Sequence, residues 1–122
     1  MTESVAARTE LDLDTGTGRW AVRSSGPTVY LLDLDVRPAR CLRAPGPTSP
    51  RGLTDDAWAD VVDMQAVAMD ATATPGKIRM GCRTLWFLDP GPDHPDVIWW
   101  LQREVTAITP LPAGEGNIVG PA

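Results

Sequence analysis

The residues best suited to chemistry in this chain lie between positions 89 and 96, where Asp89, Asp93 and Asp96 surround His94, its only histidine. Carboxylates beside an imidazole are the groups that hold a divalent cation or serve as a general base near neutral pH. Their spacing lacks the D-x-D-x-D-G pattern of a calcium loop, and Pro90, Pro92 and Pro95 account for the segment as a rigid, solvated connection. The two thiols, Cys41 and Cys82, fall on inward-leaning strand positions, and with one histidine they cannot complete a tetrahedral zinc site. They read as reduced, buried apolar thiols. No serine or cysteine sits in a nucleophile elbow, and Gly16-Thr17-Gly18 lacks the third glycine and the preceding strand of a dinucleotide loop. The expectation is a chain with no catalytic residue, no metal and no cofactor; a small enzyme using the His94 loop is the most distant reading.

Surface chemistry is more informative. Alternation places Arg19, Arg23, Arg79 and Arg83 on the outward side of their strands. Were those strands neighbours, the four would form a cationic stripe able to bind nucleic acid, with Trp100 as an aromatic platform. Asp33 and Asp35 share that outer face and oppose the stripe, as does the net charge of −5. The adjacent Trp99 and Trp100 must face opposite ways if they lie on a strand. Trp99 keeps company with Val97, Leu101 and Val105, whereas Trp100 lies with Gln102, Glu104 and Thr106. Trp99 is therefore expected inside and Trp100 at least partly outside, near the outward Leu85 and Phe87, as an anchor for a protein partner.

The elements that must position these groups are mostly strands. Arg19-Trp20-Ala21-Val22-Arg23 alternates with period two, and residues 28–36 place Tyr30, Leu32, Leu34 and Val36 on one face. A three-residue loop centred on Gly26 pairs Trp20 with Leu32, Val22 with Tyr30 and Arg19 with Asp33; a one-residue slip would move each apolar side chain to the wrong side. A third strand spans 39–43 and ends in a proline-rich connection. Residues 77–88 read as one strand with Ile78, Met80, Cys82, Thr84, Trp86 and Leu88 on a single side, and 97–108 as the last. Between them, Thr54 as N-cap with Asp55 and Asp56 behind it favours a helix around 54–69, although a strand reading competes.

These elements sum to a mainly β fold, a small antiparallel barrel or strongly bent sheet of the SH3-like or OB-like kind, with one possible helix around 54–69. A chain of 122 residues fits one domain. The expected organisation is an N-terminal arm over 1–17, a β-rich domain over 18–109 and a tail over 110–122. Residues 19–51 and 76–88 are net positive and the remainder net negative, which suits cross-strand pairing between cationic strands and acidic connections.

The stretches Gly18-Arg19-Trp20-Ala21-Val22-Arg23 and Tyr30-Leu31-Leu32-Asp33-Leu34-Asp35 resemble small proteins encoded by actinobacteria and their phages. The ten arginines against a single lysine, Lys77, agree with such GC-rich coding. The resemblance implies a non-exported setting and no particular activity. With no export signal and no membrane-length apolar run, the expected location is the cytoplasm, away from membranes. The functional expectation is a non-catalytic protein-interaction module, capable of self-association, that uses Trp100, Leu85 and Phe87; nucleic-acid binding through Arg19, Arg23, Arg79 and Arg83 stands second.

Overall fold

The computed structural model describes residues 7–47, 55–94 and 96–111. The described chain folds into antiparallel strands: β1 (Glu10–Asp12), β2 (Arg19–Ser24), β3 (Val29–Asp33), β4 (Arg40–Ala44), β5 (Trp58–Val67), β6 (Ala73–Pro75), β7 (Lys77–Arg79), β8 (Arg83–Asp89), β9 (Ile98–Leu101) and β10 (Val105–Pro110). The main sheet runs β10-β2-β3-β4-β5-β8-β9 with β6 beside β5, while β1 and β7 form a separate pair. The fold is mainly β, with no helix among the described residues. Among the described residues its path has two ends, at β10 and β9, so these strands do not close into a barrel. No helix of the described residues is long and apolar enough to cross a membrane.

The β2–β3 hairpin has the expected register, with Trp20 opposite Leu32, Val22 opposite Tyr30 and Arg19 opposite Asp33. Inward alternation drives it. Trp20, Val22, Tyr30 and Leu32 enter the main core, together with Leu34, Cys41, Met64, Ile78, Trp86, Leu88 and Ile108. The opposite side of the same strands is also apolar in part, and there Ala21, Leu31 and Leu42 form a smaller cluster. Arg19 reaches Asp33 at 3.7 Å, with both side chains half-buried.

Residues 58–67 form the longest strand, correcting the helix expected around 54–69; the proposed cap Thr54 lies outside the described residues. The cause of the ambiguity is a β-bulge between Val61 and Asp63. Ala59 and Val61 are buried before it and Met64 and Ala66 after it, so the inward parity switches within one strand. The bulge leaves Val62 on the surface and puts a spacing of three between Val61 and Met64, which imitates a helical period.

Two other expected strands are each broken in two. The 77–88 strand is interrupted where Gly81 takes a φ of +80°, a conformation that L side chains avoid. Met80 consequently turns outward rather than joining Ile78 and Trp86. The 97–108 strand breaks at 102–104, and there the main chain bonds β8 and the turn before it: Gln102 N–H to Thr84 O (2.8 Å), Val105 N–H to Cys82 O (2.9 Å) and Gly81 N–H to Val105 O (2.9 Å).

Within the segment expected as an N-terminal arm over 1–17, residues from Arg8 onward are tied to the strands. Arg8 N–H donates to Ile108 O at 3.0 Å, and Leu11 is buried in the core. Pairing with β7 holds β1 in place, through Lys77 on Asp12 (2.5 Å) and Arg79 on Glu10 (2.7 Å). At the other end Pro110 belongs to β10 and Leu111 packs on the smaller cluster; residues 1–6 and 112–122 lie outside those described.

The β1–β7 pair is sensitive to acid. The Lys77 ammonium, followed by the Thr15 and Asp14 backbone N–H groups, lowers the Asp12 carboxyl from 3.8 to about 2. Because the folded value lies below the unfolded one, this contribution is present above pH about 4 and is lost as pH falls through about 2. The protection of β1 amides against exchange, taken relative to the intrinsic rate at each pH, is expected to fall toward low pH across that window, and Asp12→Asn to flatten the dependence; an unchanged profile in the variant would refute the assignment.

Candidate interaction surface

The paired tryptophans are positioned by the β8–β9 ladder. Trp100 lies opposite Trp86 and Trp99 opposite Phe87. The side chains point the other way from the sequence expectation: Trp100 packs against the core, while Trp99 is 63% exposed. Gln102 is the reason. It looks like a solvent residue, yet it is buried, accepting a hydrogen bond from Trp86 Nε1 (3.1 Å) and donating to the Val22 carbonyl (3.0 Å). Two buried polar groups are thereby satisfied. Alternation then puts Ile98, Trp100 and Gln102 on the inner side, leaving Trp99 and Leu101 outside. Val105, which had grouped with Trp99 by parity, lies beyond the break and keeps no register with β9.

A buried cation completes the inner side. Arg43 is 3% exposed, and its guanidinium sits 3.5 Å from the centroid of the Trp100 ring. It donates to Asp55 Oδ2 at 2.7 Å and to the Tyr30 hydroxyl at 3.2 Å. Tyr30 stacks on Trp86 at 5.1 Å with the rings nearly parallel. Burial outweighs the neighbouring guanidinium and raises the Tyr30 hydroxyl well above its ordinary value, so it stays protonated. A groove of about 280 Å³ opens beside this cluster, lined in part by Tyr30, Arg43, Trp100, Gln102 and Arg103.

The outer side of β5, β8 and β9 has a different character. Its rows run Asp63, Phe87, Trp99 and Gln65, Leu85, Leu101, with each residue opposite the next across the ladder. Phe87 and Leu85 are half-buried, and Val97 and Leu101 join Trp99 among the exposed apolar residues. This surface reaches β9, the end of the sheet, whose four residues Ile98-Trp99-Trp100-Leu101 carry no charge, proline or glycine. Leu85 and Phe87 thus lie where the sequence placed them, beside Trp99 in place of Trp100. Strict alternation from Trp86 and Leu88 identified these two; Trp99 was missed because the inward role of Gln102 has no local signature.

The four arginines do not form one stripe. Arg19 and Arg23 are on β2, Arg83 is on β8 with β3, β4 and β5 between them, and Arg79 is on β7 in the other sheet. Arg19 lies 5.5 Å from the Trp58 ring centroid beside Asp33, Arg79 binds Glu10 and Thr74 Oγ1 (3.2 Å), and Arg83 donates to Gln102 O (3.2 Å). His94 is exposed at a shallow groove shared with Arg40, Trp58, Asp60 and Asp89. Asp60 faces Asp89 directly across β5–β8 and is bound by Arg40 at 3.2 Å. No group of three histidine, cysteine or acidic side chains converges as a metal site among the described residues. Cys41 is fully buried, with burial holding its thiol protonated, and Cys82 is half-buried; both are free. No family model, no curated protein and no solved structure matches this chain.

Two substitutions separate the inner from the outer side. Trp100→Ala is expected to cost about 3 kcal/mol in urea unfolding through lost packing, whereas Trp99→Ala should cost about 1 kcal/mol or less; equal losses would contradict the assigned orientation. Asp55→Ala leaves the Arg43 charge buried without its carboxylate and should cost about 3–5 kcal/mol. A loss within the range of ordinary surface substitutions would show that Asp55 is not the counter-ion on which Arg43 depends.

Proposed function

We propose that this chain is a non-catalytic protein-interaction module that associates with a second copy of itself through the outer side of β5, β8 and β9. The observation that carries the reading is Trp99, a large aromatic residue largely in solvent among Phe87, Leu85, Leu101 and Val97 on an uncharged end strand. Large contiguous apolar patches are rare on monomers and mark interaction sites, and tryptophan is among the residues that most often dominate binding energy. A second copy suits this surface because it presents the same apolar pairs, Phe87 with Trp99 and Leu85 with Leu101, whereas the chain as a whole carries a net charge of −5 and repels its like elsewhere. The dispersal of Arg19, Arg23, Arg79 and Arg83 over three separated strands removes the support for a nucleic-acid stripe. The proposal places the protein in the cytoplasm, with Cys41 and Cys82 as reduced thiols, and its origin in an actinobacterial or phage genome.

Size-exclusion chromatography with light scattering provides the test, with the 260 to 280 nm absorbance ratio recorded on the same peak. The expected result is a mass above the 13.1 kDa of one chain, rising with concentration and free of nucleic acid. Trp99→Asp should return it to a monomer while the melting temperature moves by no more than a few degrees. A monomer at all concentrations, or association untouched by Trp99→Asp, would sink the reading; nucleic acid released by salt would favour binding through the arginines instead.

A further inference from the structure

Resting on that self-association, we infer that the docking element is the backbone edge of β9 itself, and that two copies join β9 to β9 antiparallel about a two-fold axis at Trp99. The geometry of the β8–β9 ladder sets which groups are available. Gln102 N–H donates to the Thr84 carbonyl directly opposite it. In an antiparallel ladder alternate residues point their N–H and C=O toward the same neighbour, so Trp100 and Ile98 also bond toward β8. Trp99 and Leu101, with Val97 just before the strand, therefore aim their main-chain groups away from it, at an edge that no strand covers among the described residues.

Natural end strands are shielded from such pairing by charge, proline, bulges or covering segments. β9 has none of the first three: its ladder with β8 is regular over Ile98–Leu101, and none of its residues is charged or proline. Symmetric pairing about Trp99 puts Trp99 opposite the Trp99 of the other copy and Val97 opposite its Leu101, so each outward main-chain group meets a complementary one. The same register keeps the outer rows continuous, since Trp99 and Leu101 of both copies lie on the face already lined by Phe87 and Leu85. Charge agrees as well. Asp96 and His94 precede β9 and Arg103 and Glu104 follow it, all exposed. In this register Asp96 comes opposite the other copy's Gln102, one residue from its Arg103, and His94 comes opposite its Glu104, whereas parallel pairing would align each with its like.

Cross-linking tests the orientation and light scattering tests the association beneath it. In a Cys82→Ala background, with Cys41 left buried, Val97→Cys and Leu101→Cys are prepared separately, then mixed and treated with a short bismaleimide. The expected result is a covalent dimer several-fold more abundant in the mixture than in either variant alone. Equal or greater yield in the single variants would overturn antiparallel edge pairing. If the mass still falls to a monomer with Trp99→Asp in that case, self-association stands and the copies stack by their faces instead. A monomeric wild-type chain would overturn both.

Discussion

The inner architecture depends on keeping the Arg43 charge out of water. An ion removed from solvent is costly unless its hydrogen bonds and charge are met in place. Asp55 supplies the opposite charge, the Tyr30 hydroxyl takes a further donor, and the Trp100 ring covers the flat face of the guanidinium. Those partners come from separate parts of the chain, so satisfying one side chain ties β3, β4, the approach to β5 and β9 to one another. Tyr30 extends the cluster to Trp86 by stacking, and Trp86 passes it to Gln102 and on to Val22 of β2.

The outer surface follows from that inner commitment. Once Trp100 is drawn under Arg43 and Gln102 is required by Trp86 and Val22, the pleat leaves Trp99 and Leu101 nowhere but outside. The patch that carries the functional proposal is thus the other face of the same constraint. Position at the end of the sheet adds to it, because a central strand would have presented Trp99 without a free backbone edge. Three of the four arginines that looked like a site, Arg19, Arg79 and Arg83, are instead taken up locally, by Asp33 and Trp58, by Glu10 and Thr74, and by the Gln102 carbonyl.

Irregularities govern the rest of the topology. The bulge in β5 lets one long strand bury Ala59 and Val61 before it and Met64 and Ala66 after it, and lets β4 and β6 occupy successive parts of one side while β8 runs along the other. The Gly81 turn releases β7 to pair with β1, which brings the N-terminal segment from Arg8 onward into the fold.

By itself the sequence determined the β class, the β2–β3 register down to the Arg19–Asp33 pair, the strand through Cys41, and the outward Leu85 and Phe87, because unbroken two-residue alternation encodes which side of a strand is buried. Only the tertiary structure decided the strand at 58–67, the breaks at Gly81 and 102–104, the separation of the four arginines and the choice between Trp99 and Trp100. In each of these the local pattern is interrupted or balanced. A bulge reverses parity without changing composition, and Gln102 is buried solely because Trp86 and the Val22 carbonyl, distant along the chain, each need a partner. Strand neighbourhood likewise depends on pairing between remote segments, so side-chain direction was legible where its neighbours in space were not.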